Sequence, residues 1–360
     1  MQLLRIECLG KELRLEASMS GWQALYWDNQ LVSQFNASAG RNPIKKHVFT
    51  LQSNQGDLEC QLDINLSWQP FLLSYAFAVN NTPVSQGEIT PTDIEKQEVV
   101  NRPIEKKKIS VIGIGSFALK MLKSAKAIKA LFAAGSLAAY SWLFSLEFAI
   151  ALILCLVFHE YGHIRAMKYF GMKTKGIYLI PFIGGLALSE SKINTRWQDV
   201  VIAIMGPFFG LMLSIVSLFI YWVTDIEFFA GIATFNALLN LFNLLPVLPL
   251  DGGHILKSVA FSINSVFGLI ICVCGALLGI AASSYFGFAL LGFILFIGMF
   301  EILFEWQDRH RSQLLPLDRY GQTVSAVWYV ITVALLCSII YLLGSTGNDA
   351  LSIPLILLGA

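Results

Sequence analysis

From about Ile109 to its end the sequence is nearly all apolar, broken only by sparse charged and turn-forming residues. Hydrocarbon offers no water to a backbone amide, so a chain of this kind crosses a membrane only where its backbone bonds are closed internally. Apolar runs of about 20 residues have the length of membrane-spanning helices. The runs predict spans at 127–144, 146–167, 198–223, 228–247, 266–283, 285–304 and 323–344. The final "ALSIPLILLGA" is apolar but too short to span. Composition agrees: 56% of the residues are hydrophobic and only 14% charged, with mean hydropathy +0.64. A soluble chain carries far more charge. We therefore expect a polytopic α-helical membrane protein of about six to seven spans, with a small N-terminal β-rich soluble domain.

That soluble part is mixed in character. "LECQLDINL" (Leu58–Leu66) alternates apolar and polar residues, "FLLSYAFAVNN" (Phe71–Asn81) runs into turn residues, and "SGWQALYWDNQLVSQF" reads as a hairpin around Asp28-Asn29. Strands at such short intervals predict a sandwich-like domain over 1–100. A charged linker and interfacial helix follow over 101–125, and a membrane-embedded domain over 126–360. Lys120, Lys123, Lys126 and Lys129 recur every three residues, as in a snorkelling lead-in to the first span. The N-terminus has no long apolar core or small-residue cleavage site, and predicts no signal peptide. None of the six cysteines forms a C-x-x-C pair, so they read as free thiols in a reducing compartment, and the glycosylation sequons at Asn36 and Asn80 as chance. A net charge of +1 with no long basic run gives no sign of a nucleic-acid partner.

Charge asymmetry predicts the orientation. With the N-terminus in the cytoplasm, the outer loops Ser145–Glu147, Thr224–Glu227, Ser283–Tyr285 and Ser345–Ala350 contain no Lys or Arg. The opposite side carries Lys106–Lys108, Arg165, Lys168, Lys173, Lys175, Lys192, Arg196, Lys257, Arg309, Arg311 and Arg319. This positive-inside pattern predicts a bacterial inner-membrane protein with its N-terminal domain and the end of the second span on the cytoplasmic side.

Into that second span the sequence places "FHEYGH" (Phe158–His163). Each ionisable residue at the centre of a membrane helix is disfavoured by roughly 2.5–3.5 kcal/mol, so the group needs a compensating role. His159 and His163 are four residues apart and share one helical face, where two imidazoles can hold one zinc ion. Glu160, one residue's rotation away, can reach a water on the same metal as general base and later proton donor. We expect Gly162 to leave space beside the metal. The bland alternative is two interfacial histidines that happen to flank a glutamate.

A catalytic zinc usually takes a third protein ligand. "FNALLNLFNLLPVLPLDGGH" (Phe235–His254) offers one, because Pro246 and Pro249 end or kink the helix and Asp251 emerges at the depth of the histidines. Gly252 and Gly253 suit a tight turn or a close approach. Asp-Gly is also a common turn pair, and His254, Glu190, Asp199 and Glu301 are rival ligands.

With both segments in view, "FHEYGH" and "NLLPVLPLDGG" (Asn243–Gly253) resemble the site-2 protease family of intramembrane zinc metalloproteases, over about residues 125–260. The resemblance implies His159, His163 and Asp251 as metal ligands, Glu160 as catalytic glutamate, one Zn2+ per chain, and a membrane core of spans like those at 127–144, 146–167 and 228–247. It implies hydrolysis of peptide bonds within or near transmembrane segments of single-span membrane-protein substrates in the lipid bilayer. The best-known bacterial members have a PDZ insert and others a C-terminal CBS domain; neither is recognisable here, so recruitment and regulation do not carry over. A non-catalytic zinc-binding membrane protein or transporter is the alternative, against which the intact Glu160 argues. A CAAX-type metalloprotease would be expected to take glutamate as third ligand and fits "LDGG" poorly. No second membrane aspartate partners Asp251 as an aspartyl protease needs.

"KGIYLIPFIGGLALSE" (Lys175–Glu190) is too short to span and too hydrophobic for a surface loop. It predicts a hairpin over 177–188 near the site, interrupted at Pro181, with an edge at Gly184, Gly185 and Leu186 to which an unwound substrate could pair. The bland reading is a plug. Asn240 and Asn243 read either as interhelical hydrogen bonding or, for one of them and Asn243 in preference, as a contact to substrate backbone or to the tetrahedral oxyanion. Gly206 and Gly210 of "MGPFFG" predict close packing against a catalytic helix.

Overall fold

The computed structural model describes residues 1–19, 21–36, 44–53, 56–97, 126–143, 145–180, 184–189, 192–285, 289–307 and 314–345. The readings placed on the linker 101–125, Pro181, Glu190, Arg309, Arg311 and 346–360 lie outside them. The chain divides into two compact units, one of Met1–Gln97, Ile193–Gln198 and Lys257–Val324, the other of Glu98–Lys192, Asp199–Leu256 and Ser325–Ala360.

The first unit holds the β-rich region. Strands β1 (Gln2–Cys8), β2 (Lys11–Ala17), β3 (Gln23–Trp27) and β4 (Gln30–Phe35) form one antiparallel meander; β5 (Ile44–Ser53), β6 (Gly56–Trp68), β7 (Phe71–Val79) and β8 (Thr82–Ile89) form a second. Their two-residue turns are set by local chemistry. Leu9-Gly10, Asp28-Asn29 and Asn80-Asn81 all have positive φ, the conformation that matches the twist of a tight hairpin and that Gly, Asn and Asp adopt most readily. Leu3, Leu4, Leu13, Leu15 and Leu25 of the first sheet share one core with Leu62, Ile64, Leu73 and Phe77 of the second. Ile94 of helix α1 (Pro91–Lys96) and Leu315 close that core.

The exit from α1 is pinned by two amides. Asn194 Nδ2 donates to Ile94 O at 3.0 Å and Gln97 O at 2.7 Å, and Gln198 Nε2 donates to Glu95 O at 3.1 Å. Backbone bonds join Asn194 and Arg196 to Leu315. Carbonyls left over at a helix C-terminus are thus satisfied by side chains far away in sequence.

The second unit contains α2 (Lys126–Leu143), α3 (Leu146–Tyr169), the hairpin β9 (Thr174–Ile180) and β10 (Gly184–Ser189), α4 (Arg196–Thr224) from Asp199 onward, and α5 (Glu227–Asn243). α6 (Asp251–Ile263) starts in it, and most of α9 (Arg319–Gly344) belongs to it. The remaining helices, α7 (Ser265–Tyr285) and α8 (Ala289–Gln307), pack on one another in the first unit.

Among the described residues four helices are long and apolar enough to cross a membrane: Leu146–Tyr169, Arg196–Thr224, Val266–Tyr285 and Arg319–Gly344. α5 is shorter than the expected 228–247. It stops at Asn243, where Leu244 and Leu245 bond back into the last turn and Pro246, which lacks an N–H, follows. Its 17 residues rise about 25 Å, less than the roughly 30 Å hydrocarbon core.

α3 shows why ionisable residues are tolerated in an apolar helix. Ile150, Leu154, Phe158 and Tyr161 lie exposed on one side, whereas Ala149, Cys155, Leu156, His159, Glu160 and His163 are buried on the other. The polar groups turn toward protein, as intramembrane ionisable residues do.

Candidate metal centre

Three ligand-type atoms converge in the second unit. His159 Nε2 and His163 Nε2, one helical turn apart on α3, are 3.1 Å from each other. Asp251 Oδ2, on the first residue of α6, is 3.3 Å from the former and 3.5 Å from the latter. All three residues form one group able to hold a metal ion.

The donor set can be tested against a cation at its centre. His163 Nδ1 lies 2.7 Å from the backbone carbonyl of Ile202 on α4. A carbonyl only accepts, so Nδ1 carries a proton, and in the neutral ring Nε2 then keeps its lone pair toward Asp251. Asp251 Oδ2 is buried and makes no hydrogen bond among the described residues. The contacts to the two imidazoles have the spacing of ion pairs, and with neutral imidazoles they leave ligand lone pairs facing a carboxylate oxygen. A cation reconciles them. Nitrogen and oxygen ligands 2.0–2.1 Å from a tetrahedral zinc are separated by about 3.3 Å, and the three separations here, 3.1, 3.3 and 3.5 Å, bracket that value. Two imidazoles and a carboxylate also suit zinc chemically.

Glycines make the convergence possible, though not the expected one. Gly162 does not leave space beside the ligands. A Cβ there would run into Met205 O and come within 3.1 Å of Gly206 Cα, so Gly162 lets α3 and α4 touch. The space beside the imidazoles is kept by Gly206, whose Cβ would meet His163 Nε2 and lie 2.9 Å from His159 Cε1. Gly210, one turn on, faces the amide of Asn240.

The segment that delivers Asp251 is equally close-packed. Gly252 and Gly253 form the first turn of α6 rather than a loop turn. Added methyls would strike the carbonyl of Leu244 and the backbone of Val247 and Leu248. Tyr329 of α9 donates its hydroxyl to Leu244 O at 2.6 Å, tying down the same segment.

Glu160 is buried beside His159, and β10 crosses it. A Cβ on Gly185 would meet Glu160 Cγ and come within 2.6 Å of Oε1. Gly184 has φ +112°, open to glycine alone, and its nearest neighbour is Leu156, 3.9 Å from where a Cβ would stand. Leu186 pairs with Tyr178 across the hairpin and its side chain is exposed. The hairpin is anchored from α2, where Lys129 Nζ donates to Lys175 O at 2.6 Å and sits over the Tyr178 ring. Asn243, the last residue of α5, donates to Leu239 O at 3.1 Å.

Of the rival ligands, His254 faces Asp199 at 3.5 Å, and Glu301 pairs with Lys257 at 2.6 Å in the first unit. Neither belongs to the cluster. Sequence reasoning missed Asn236, the Ile202 carbonyl and the role of Gly206. Asn236 and Asn240 stand four residues apart in an apolar helix, a spacing that could have marked them as one stacked pair.

Comparison with known proteins bears on this region. Residues 147–226 and 223–269 match Peptidase family M50. The chain is 39% identical over 128 residues to a putative zinc metalloprotease of Synechocystis sp., covering 34% of each chain. It is 35% identical over 115 residues to a zinc metalloprotease of Methanocaldococcus jannaschii, covering 31% of this chain and 33% of that protein. It is 27% identical over 184 residues to stage IV sporulation protein FB of Bacillus subtilis, covering 48% and 63%. The match thus spans about a third of the first two relatives' length. Over this stretch the likeness to the site-2 protease family read from the two motifs is borne out.

Proposed function

We propose that the chain is an intramembrane zinc metalloprotease that hydrolyses peptide bonds within or near transmembrane segments of single-span membrane proteins. The observation that carries this reading is the convergence of His159 Nε2, His163 Nε2 and Asp251 Oδ2 on one point at ligand spacing. His159, His163 and Asp251 would hold one zinc ion per chain, which when bound supplies a Lewis acid and lowers the pKa of water toward about 7.

Glu160 accepts the proton of the attacking water and returns it to the leaving amine. Its burial excludes bulk water from that proton, and Gly185 against its side chain limits where the carboxylate can swing. β9 and β10 form a two-stranded sheet, so β10 has an edge to which an unwound substrate segment can add as a strand. Gly184, Gly185 and Leu186 lie on that strand, and Asn243 is a further substrate contact. A helical substrate must unwind first, because its amides are shielded in its own hydrogen bonds.

The wider layout is part of the same proposal. It comprises a soluble domain over 1–100, a linker over 101–125 and a membrane domain of six to seven spans over 126–360. The Lys/Arg distribution supports a bacterial inner membrane with the catalytic end cytoplasmic. The test is co-expression with candidate single-span substrates. The unsubstituted chain should generate a shorter fragment and Glu160→Gln should not; equal fragment yields from both would refute the reading.

A further inference from the structure

A chain of side-chain amides runs behind the metal centre, and its two ends are fixed by backbone carbonyls. His159 Nδ1 lies 2.7 Å from Asn240 Oδ1. Asn240 Nδ2 lies 2.7 Å from the carbonyl of Asn236 and 3.0 Å from Asn236 Oδ1. Asn236 Nδ2 lies 2.7 Å from the carbonyl of Gly210 on α4 and 2.8 Å from Ser214 Oγ. His159, Asn236, Asn240 and Ser214 are all buried.

An asparagine amide is ambivalent: its oxygen accepts, its nitrogen donates, and either could face a histidine. Here the backbone removes the ambiguity. The Gly210 carbonyl cannot donate, so the NH2 of Asn236 must face it, which turns Asn236 Oδ1 toward Asn240. The Asn236 carbonyl cannot donate either, so the NH2 of Asn240 faces Asn236 and its oxygen faces His159. His159 must then carry a proton on Nδ1, and the neutral ring presents a bare Nε2 toward Asp251 and His163.

We propose that Asn240, locked by Asn236, is the positioning residue that fixes the tautomer and ring orientation of His159 for metal binding. The inference rests on the metalloprotease reading and deepens it. A histidine ligand whose other nitrogen donates to a fixed acceptor is better oriented and more basic than one left free to rotate. Gly210 belongs to the device, because a Cβ there would meet the Asn240 amide. The polar pair is thus built toward the histidine rather than serving only to join α4 to α5.

The experiment is a zinc-chelator competition titration on the full-length protein in detergent, with no substrate present. Asn240→Leu, which removes the acceptor, should weaken zinc binding by about 10–100-fold. Asn240→Asp, which keeps an acceptor toward His159 but sets a second acceptor against the Asn236 carbonyl, should recover part of the affinity and bind zinc more tightly than Asn240→Leu. Gly210→Ala deletes no polar group and favours helix, yet should weaken zinc by displacing the Asn240 amide, which guards against misreading a folding failure of Asn240→Leu. Native affinity in Asn240→Leu would overturn the proposal. So would equal losses in Asn240→Leu and Asn240→Asp, which would assign Asn240 to packing alone. If the unsubstituted chain took up no zinc, the metalloprotease reading itself would fall, and that outcome is read on a different sample.

Discussion

Gly185 of β10 lies against the side chain of Glu160 on α3, so closely that a Cβ at Gly185 would meet Glu160 Cγ. The strand that offers an edge to an extended peptide therefore also forms one wall around the proposed proton carrier. On the proposed reading, substrate binding and proton transfer share a boundary one glycine wide.

Gly185→Ala tests that boundary. The methyl must displace either the strand or the carboxylate, whereas the ligands on α3 and α6 are untouched. Cleavage of a membrane substrate should fall by about 10-fold or more, by analogy with the large losses that follow 1 Å misplacements at reacting groups. Zinc content should stay native. Full activity in this variant would show that the contact has no bearing on Glu160.

Gly206→Ala should act oppositely. Its methyl would enter the space between the imidazoles and α4. Zinc should be lost together with activity. Metal analysis of the purified variant separates the two glycines: one substitution spares the metal and the other expels it.

Edge pairing at β10 is tested with proline, which removes a backbone donor. Successive residues of a strand point their N–H groups to opposite sides. Of Leu186→Pro and Ala187→Pro, one removes a donor toward β9 and the other a donor toward the open edge. At least one should cleave poorly while retaining zinc. Native cleavage in both would return the hairpin to the role of a plug.

The N-terminal unit has its own titratable core. His47 is fully buried between Ser33 Oγ at 2.9 Å and Gln23 Oε1 at 3.2 Å, and burial, with Lys45 nearby, pushes its pKa down to about 4. Unfolded, it titrates near 6.5, so the unfolded chain binds the proton first. Stability is therefore full above about pH 6.5, falls as pH drops toward 4, and is lost by about 3 kcal/mol in all. Hydrogen exchange of the β3–β5 amides should accelerate across that window, and His47→Gln should flatten the dependence. An unchanged pH profile in the variant would reassign the acid sensitivity elsewhere.

Much of this was legible in the sequence because it depends on spacing alone. Two histidines four apart must share a helix face, Asp28-Asn29 and Asn80-Asn81 suit tight turns, and a two-glycine apolar segment beside Pro181 suits a hairpin. What was not legible depends on partners brought from elsewhere. Gly162 and Gly206 exchange their expected roles because the surface each glycine faces comes from another helix. Asn240 read as interhelical glue because its acceptor end is chosen by the Asn236 and Gly210 carbonyls, which no local pattern encodes. Asp251 read as a ligand at a helix end, with Gly252 and Gly253 open to a tight turn or a close approach; the first turn of a new helix, where acidic residues are at home, depends on the packing of those glycines against Leu244, Val247 and Leu248.

The most direct measurement is the zinc content of the purified full-length chain beside His159→Ala/Asp251→Ala. The account predicts about one zinc per native chain, the usual stoichiometry of a three-ligand catalytic site, and none in the double variant. Stoichiometric zinc retained by the double variant would contradict it.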